Sequence, residues 1–554
     1  MNLATISLKL LEPKSRAFER STMDPVRAQT KVLMEYLRRN KDTEYGRKYR
    51  FSEIRTLSDY QARVPVVEYE AIRPYVDRMA KGEQNILTRD RPIFFGSTSG
   101  TTNLPKLIPT TNYSESKKME LLWLWSYYIA RDHPDVVNGK VLAIISPEDE
   151  GKTPSGIRYG AESGHGYKSL PWPVKRLYVL PPKVFEIKDY DARYYTILRL
   201  SMGANVTDVA TLNPNTIVLL CQKISKWQDR IIEDIRNGTL SRDFDIPDGV
   251  RRPIERSLRR DPVRANELSM LAAKNGKLLP KDFWPNMRLV ECWMGGMMRL
   301  YLKEIEDYFG KVSIRDMGCL STEARSSIPI GDGSASGVLA IDTNFYEFIP
   351  KEDAARKNAA VLTCDKVEAG KEYFIVVTTA GGLYRYNIDD IVKVTGFMNK
   401  TPMIEFVQKG SGATSLAGEK LYESHVSDAV NLAVEKHGLK IEFFCAVAES
   451  GAAGGPRYAF LVEFSGDTPP ADKKKAFLGS LEENLRSLDS EYLFVRNAQL
   501  LKAPALKVIR AGDFERYRAR KVAHGAHDGQ FKAPELTSDT NFEKNFFIEE
   551  ITGL

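Results

Sequence analysis

Cysteine and histidine are scarce in this chain of 554 residues, which has five cysteines and six histidines. The cysteines are odd in number and never stand in C-x-x-C spacing: Cys221, Cys292, Cys319, Cys364 and Cys445. This scatter predicts neither a disulfide framework nor a zinc site. Unpaired cysteines suit a reducing compartment, so we expect a cytoplasmic protein.

Long apolar runs are also missing. No run approaches the ~18 residues that a membrane span needs. The first twenty residues, MNLATISLKLLEPKSRAFER, lack an apolar core followed by a small-residue cleavage site. The sequence therefore predicts neither a membrane partner nor a secretory signal.

Charge of one sign is not in large excess. The chain has 80 Lys and Arg against 73 Asp and Glu, a formal charge of +7. A protein that binds nucleic acid usually shows a basic stripe or cluster, and none is present. We expect no nucleic acid partner, whereas an anionic small ligand is compatible with the charge.

What the sequence does contain is an alternation of helical patterns with short apolar runs, which predicts an α/β fold. A helix is expected from Pro25, capped by Asp24. Apolar runs of strand length are found at 91–95, 140–146, 175–181, 215–221, 287–293, 336–342, 373–379 and 391–397.

A glycine-, serine- and alanine-rich stretch, KGSGATSLAG, begins at Lys409 and indicates a domain boundary. This stretch is followed along the chain by an amphipathic helix (419–438), two apolar strands (441–449 and 457–464) and a second helix (473–488). We expect a large domain over 1–409 and a small α+β domain over 410–554.

The stretch FFGSTSGTTNLPKLIPTT (94–111) places hydroxyl groups, glycine and one lysine between two apolar segments. Glycine lets the backbone approach a ligand closely, hydroxyls donate hydrogen bonds to phosphate, and Lys106 adds a positive charge. The stretch does not match G-x-x-x-x-G-K-[ST], because Leu107 follows the lysine. On composition alone, a phosphate loop and a polar surface loop remain equally open.

The order T-S-G-T-T-x-x-P-K resembles the phosphate loop of adenylate-forming enzymes, although Asn103 stands where glycine is usual. Two downstream segments resemble further motifs of the same superfamily, in the same order: DMGCLSTEARSS (316–327) and YRYNIDDIVKV (384–394). A lone Thr-Glu is typical of a helix start, and Asp-Asp is typical of a turn. Three segments in order favour the functional interpretation.

The superfamily resemblance implies roles for several side chains. Glu323 would coordinate Mg²⁺, Thr322 would contact the α-phosphate, and Asp390 would accept hydrogen bonds from the ribose hydroxyls. Lys106 would contact the β- and γ-phosphates. The residues implied in cradling phosphate are Ser97, Thr98, Ser99, Gly100, Thr101 and Thr102.

The flanking segments resemble the Gretchen Hagen family of auxin-responsive-promoter acyl-acid amido synthetases, nearly from end to end. The most specific piece is G-A-x-x-G-Q-x-K-x-P at 525–534, which contains Lys532. The chain departs from the family at Cys319–Leu320, where an aromatic and a small residue are usual, and at Asp389, where glycine is usual.

That resemblance implies an adenylate-forming, firefly-luciferase-like fold. It has a large α/β domain with β-barrel elements and a small, mobile α+β domain. It also implies that ATP and Mg²⁺ activate a small carboxylic acid with release of pyrophosphate. An amino acid or another amine then takes the acyl group and AMP leaves. Lys532 would supply the cation at the α-phosphate.

Other interpretations stay open. The same adenylate could pass to coenzyme A in an acid–thiol ligase, or the chain could bind nucleotide without chemistry. The aromatic helix around 121–128 could line the acid pocket or belong to the core. The segment 155–166 with His165 could cover the acid or merely connect. Glu419, His524 and His527 are candidates for the base that assists the amine. The sequence names neither acid nor amine.

Overall fold

The computed structural model describes residues 3–98, 106–146, 148–295, 298–353, 359–410, 412–414, 416–417, 419, 421–449, 455–497, 501–523 and 531–554. The chain forms two compact units, Met1–Phe406 and Val407–Leu554. We call them the large unit and the small unit, and each is described by itself.

The helices of the large unit are α1 (Leu3–Ser21), α2 (Pro25–Asn40), α3 (Glu44–Lys48), α4 (Leu57–Arg63), α5 (Tyr69–Ala80), α6 (Asn112–Asp132), α7 (Glu162–Ser169), α8 (Trp172–Lys175), α9 (Tyr190–Met202), α10 (Pro214–Asn237), α11 (Asp248–Ser257), α12 (Pro262–Asn275), α13 (Pro280–Phe283) and α14 (Arg299–Phe309).

The strands that begin in the large unit are β1 (Pro92–Thr98), β2 (Lys106–Thr111), β3 (Lys140–Ile144), β4 (Gly151–Lys152), β5 (Arg158–Gly160), β6 (Val206–Thr211), β7 (Leu289–Glu291), β8 (Ser313–Arg315), β9 (Ser327–Ile328), β10 (Gly337–Leu339), β11 (Phe345–Pro350), β12 (Leu362–Thr363), β13 (Glu372–Thr378), β14 (Tyr386–Met398) and β15 (Thr401–Lys409).

These strands form three sheets, and the expected α/β class is confirmed. A parallel sheet has the order β3-β6-β7-β8 and packs against α9 and α10 through a large apolar core. A seven-stranded sheet has the order β12-β11-β13-β14-β15-β10-β9. A smaller sheet, β2-β1-β5-β4, carries the hydroxyl-rich segment at the end of β1.

The small unit combines α-helices with β-sheets in an α+β arrangement. Its five-stranded sheet has the order β21-β18-β19-β20-β22, and a two-stranded ribbon pairs β16 with β17. The elements are β16 (Ala413–Thr414), β17 (Leu421–Tyr422), α15 (Glu423–His437), β18 (Ile441–Glu449), β19 (Arg457–Phe464), α16 (Ala471–Leu488), α17 (Ser490–Asn497), β20 (Ala505–Ile509), α18 (Asp513–Ala523), β21 (Leu536–Thr537) and β22 (Ile548–Gly553).

The strand predicted over 215–221 is wrong, because those residues lie in α10. Asn213 caps this helix by accepting a hydrogen bond from the backbone N–H of Asn215, and Pro214 occupies its first turn. The β-branched residues of this turn are buried in the core, so packing outweighs their strand preference.

Two further expectations also differ from the structure. Residues 175–181 make only an isolated bridge at Tyr178, not a strand. The segment 155–166, read as a loop or connector, contributes β5 and the start of α7. The helix predicted after Asp24 is present as α2, with Asp24 as its cap.

All five cysteines are free. Among the described residues, no helix combines the length and the apolar character that a membrane crossing requires.

A buried ion pair fixes the turn between β13 and β14. Arg385 donates from Nε to Glu347 Oε2 (2.8 Å) and from Nη2 to Oε1 (3.0 Å), and both side chains are almost fully buried. Its Nη1 also donates to the carbonyls of Val64 (2.7 Å) and Gln61 (3.0 Å). The pair therefore joins the sheet to the N-terminal helices.

We predict that Arg385→Met lowers the free energy of unfolding by about 3–5 kcal/mol, because it leaves the Glu347 carboxylate buried and unpaired. The control is Arg39→Met, whose pair with Asp90 is about a quarter exposed and should cost at most about 1 kcal/mol. Denaturant unfolding curves measure both. Equal losses in the two variants would contradict the assignment.

Candidate functional site

The hydroxyl-rich segment begins at the end of β1 and returns along β2. Ser97 is buried, its side chain contacts the carboxyl group of Glu150, and it pairs with Leu107 across the two strands. Thr98 pairs with Lys106. Ser99, Gly100, Thr101 and Thr102 lie outside the described residues, so their predicted contacts with phosphate stay predictions.

The Thr-Glu segment packs directly on β1. A Cβ atom at Gly96 would lie 2.4 Å from Thr322 Cγ2 and 3.1 Å from Glu162 Oε2. Only glycine fits this contact, because real Cβ atoms almost never approach so closely. Thr322 is buried and Glu323 is partly exposed, so the neighbouring carboxylate reaches solvent while the threonine is fixed.

Two tyrosines contact these segments: Tyr69 contacts β2, and Tyr386 contacts the Thr-Glu segment. The Tyr69 hydroxyl donates to the carbonyl of Leu107 (3.0 Å) and accepts from its N–H (2.7 Å). Lys106 Nζ lies 5.6 Å from the centre of the Tyr69 ring, a cation–π distance. Burial raises the pKa of Tyr386, and the carboxylate of Glu323, to which it is hydrogen-bonded, raises it further.

Asp390 belongs to the same neighbourhood. It is buried, and its charge acts on both Tyr386 and Cys319. Asp389, the residue before it, has φ +64°, in the left-handed region that glycine adopts most easily. Its N–H donates to Asn387 Oδ1 (3.0 Å). Aspartate tolerates this geometry better than most residues, which explains the departure from the usual glycine.

A narrow cleft opens beside these motifs. We define the cleft by its lining residues, which come from β2, α6 and three loops: Ile108, Pro109, Ser114, Lys117, Lys118, Leu121, Glu323, Ala324, Arg325, Thr343, Asn344, Thr379, Ala380 and Gly381. Lys118 Nζ donates to Glu162 Oε1 (2.6 Å) and to Thr110 Oγ1 (3.2 Å). Of the aromatic stretch 121–128 of α6, Leu121 is the residue among those that line the cleft. Trp125 and Tyr128 are in the core.

His165 is embedded among carboxylates next to this region. Its ring stacks on Phe94 at 4.1 Å, and Nδ1 lies 3.1 Å from Glu148 Oε1. Nε2 lies 3.4 Å from Glu115 Oε1. Burial alone would lower the pKa of His165, but Glu115, Glu148 and Glu162 outweigh it and raise the pKa above the ordinary value.

In the small unit, Lys532 is exposed and lies just before β21. The backbone behind it is held by Glu423, whose Oε1 accepts from the N–H of Glu535 (2.6 Å). Lys532 acts electrostatically on both carboxyl groups. Burial raises the pKa of Glu423, and it raises the pKa of Glu535 much more. No sequence pattern predicts this anchoring pair.

Of the three candidate bases for the amine, Glu419 lies among the described residues. Glu419 is buried and its oxygens accept hydrogen bonds from the N–H groups of Leu416 (2.9 Å) and Ala417 (2.8 Å) and from the Tyr458 hydroxyl (2.6 Å). It therefore holds a loop and is a poor base. His524 and His527 lie outside the described residues.

The sequence matches three family models that follow one another along the chain. They are described as the GH3 family N-terminal domain (residues 14–314), central domain (337–409) and C-terminal domain (424–541).

Curated relatives match over nearly the whole chain. Indole-3-acetic acid-amido synthetase GH3.3 of Arabidopsis thaliana is 25% identical, over 95% of this chain and 91% of its own. Jasmonoyl--L-amino acid synthetase JAR4 of Nicotiana attenuata is 26% identical, over 95% and 93%.

Solved structures share the fold. The GH3.15 acyl acid amido synthetase superposes with a TM-score of 0.85 at 24% identity, covering 100% of this chain and 98% of its own. A 2-hydroxyisobutyryl-CoA ligase in the postadenylation state has a TM-score of 0.52 at 13% identity, covering 95% and 92%.

The fold of the large unit, in which the end of β1, the Thr-Glu segment and the Tyr-Arg-Tyr segment lie together, is that of the adenylate-forming ligases. Within that class, the chain belongs to the GH3 family.

We predict that Gly96→Ala lowers kcat/KM for ATP about tenfold, because the new methyl group displaces Thr322 and with it Glu323; such overpacking costs about 1–3 kcal/mol. The control is Gly249→Ala, where an added Cβ meets nothing within 4 Å. Steady-state kinetics at varied ATP measure the effect. Unchanged ATP kinetics in Gly96→Ala would show that the contact does not position the segment.

We also predict a pH dependence of stability from His165. Because its folded pKa is raised, its contribution is fully present below the unfolded pKa of about 6.5 and is lost as pH rises through the folded pKa. Wild type should therefore lose stability relative to His165→Gln as pH rises above about 6.5. Thermal unfolding midpoints across this range test the sign, and parallel profiles would refute it.

Proposed function

We propose that this chain is an acyl-acid amido synthetase, which adenylates a carboxylic acid with ATP and joins the acyl group to the amine of an amino acid. What supports the proposal is the convergence of three distant segments in the large unit. Gly96 packs on Thr322, and Tyr386 contacts Glu323 near Asp390. The names of two GH3 relatives, an indole-3-acetic acid-amido synthetase and a jasmonoyl--L-amino acid synthetase, support the same function.

In this reaction the carboxylate oxygen attacks the α-phosphorus of ATP and the bond to the β-phosphate breaks, so pyrophosphate leaves. The amine nitrogen then attacks the acyl carbon, loses a proton, and AMP departs. The charge that develops rests on phosphate oxygens, so the protein contributes mainly positioning and electrostatic stabilisation.

The residues fit these tasks. Lys106 and the hydroxyl-rich segment would bind the β- and γ-phosphates, and Thr322 the α-phosphate. Asp390, an acceptor, would bind the ribose hydroxyls. Lys532 from the small unit would contact the α-phosphate during adenylation. We assign nucleotide and acid binding to residues 1–409 and treat residues 410–554 as a mobile domain.

Glu323 fits a magnesium ion. Mg²⁺ is commonly held by one or two carboxylates together with substrate phosphates, and Glu323 is a partly exposed carboxylate in the cleft. In the described part of the chain, no group of three or more His, Cys, Asp and Glu side chains could by itself hold a metal ion. When bound, Mg²⁺ would neutralise phosphate charge.

The free cysteines suit a cytoplasmic location. An acid–thiol ligase is the second candidate, favoured by the fold shared with a CoA ligase. The assay that separates them supplies ATP with a panel of acids, crossed with amino acids or coenzyme A, and identifies products by mass spectrometry. Amides support the proposal, whereas thioesters alone would replace it with the second candidate.

We predict that Lys532→Ala lowers acid-dependent pyrophosphate release about 10²–10³-fold, similar to the loss of one oxyanion donor. The matched control is Lys544→Ala, an exposed lysine of the same unit that donates to Asn541 (2.7 Å) and should leave the rate unchanged. Near-normal release by Lys532→Ala would remove Lys532 from the mechanism.

A further inference from the structure

Arg325 lines the cleft, and few of its guanidinium N–H groups donate hydrogen bonds within the described structure. Its Nη2 donates to the carbonyl of Met317 (3.1 Å), and its Cζ lies 4.8 Å from the centre of the Trp125 ring. Its Nε is buried without a hydrogen-bond partner in the described structure. A guanidinium has five N–H donors, so this one retains capacity for a ligand.

Two other arginines of the large unit have carboxylate partners. Arg385 makes a two-pronged pair with Glu347, and Arg315 pairs with Asp132 and Asp332 at 2.6–2.7 Å. Within the ranges that the structure describes, no carboxylate lies at ion-pair distance from Arg325. A partly buried cation without a close counterion is unfavourable, and an anionic ligand in the cleft would supply that counterion.

Arg325 is a cation at neutral pH, because a guanidinium does not lose its proton in proteins. Burial raises the pKa of Asp316 to about 7 and that of Glu291 well above its ordinary value, which weakens both as counterions.

The lysines of the cleft are engaged elsewhere. Lys118 is paired with Glu162 at 2.6 Å, and Lys117 lies 3.5 Å from Glu120. The remaining lining near Leu121 and Ala380 is largely apolar. The cleft encloses about 20 Å³, room for one or two water-sized groups. That space suits the two oxygens of a carboxylate better than the body of an acid.

We propose that Arg325 binds the carboxylate of the acyl acid in this cleft and orients it beside Glu323 before adenylation. The proposal rests on the proposed function. A planar guanidinium matches a carboxylate in two-pronged geometry. Glu323 and Arg325 are two residues apart on the same wall, so the carboxylate would be held next to the segment assigned to the nucleotide.

The test compares Arg325→Gln and Arg325→Lys with Arg131→Gln. Arg131 is a matched control, because its guanidinium also lies over a ring of α6 (Tyr128, 4.9 Å) and donates to a carbonyl (Ile330, 3.0 Å), yet it does not line the cleft. Steady-state kinetics at varied acid and at varied ATP are measured for each variant, together with the thermal unfolding midpoint with and without acid.

Arg325→Gln should raise the KM for the acid about 10–100-fold, the range for a hydrogen bond to a charged group, with the KM for ATP within about twofold. The acid-induced rise in unfolding midpoint should vanish. Arg325→Lys should recover part of the acid affinity, because it restores charge without the fork. If Arg325→Gln does not fold, the split between the two KM values in Arg325→Lys decides.

An unchanged KM for the acid in both variants, or an equal loss for acid and ATP, would overturn the inference. So would the same loss in Arg131→Gln. These results leave the proposed function intact. A wild-type enzyme that releases no pyrophosphate with any acid would instead contradict the proposed function, and this inference with it.

Discussion

The buried pair between Arg385 and Glu347 is the constraint on which the large unit depends. Arg385 adopts φ +47°, an unfavourable angle for a residue with a side chain, and the two-pronged pair offsets that cost. The Arg385 carbonyl accepts a hydrogen bond from the N–H of Val67 (3.0 Å), and the Val67 carbonyl accepts one from the N–H of Asn387 (2.8 Å). Tyr386 is thereby fixed between the N-terminal helices and the segment assigned to the nucleotide.

Solvent exposure separates the carboxylates that can act on a ligand from those that build the fold. Asp208 and Glu291 lie on neighbouring parallel strands and are buried, and burial raises the pKa of Asp208 to about 8. Such a pair retains a proton at neutral pH and is a poor magnesium ligand. Glu323 is partly exposed, hence it is the carboxylate better suited to hold a cation with phosphate.

The sequence predicts the motifs of this site better than the contacts between them. The α/β class follows from local patterns, whereas the Thr-Glu and Tyr-Arg-Tyr segments follow from the resemblance to a known superfamily, and the structure brings these segments together. The strand expected at 215–221 fails because a short apolar run cannot distinguish a strand from a buried helix turn. Arg325 lies in the Thr-Glu segment (316–327), but the sequence does not show that its guanidinium lines a cleft. That cleft is formed only when α6 and the loop at 379–381 fold against the segment.

The carboxyl groups near Lys532 bear on the role proposed for it. A lysine proposed to contact phosphate should not be neutralised by carboxylates of its own unit. Glu423 and Glu535 both lie near it, yet burial raises the pKa of each, and Glu423 raises that of Glu535 further. Glu423 also accepts the Glu535 N–H. Burial therefore favours the neutral form of both carboxyl groups, which lowers their attraction for the ammonium group, while Glu423 still holds the backbone of Glu535.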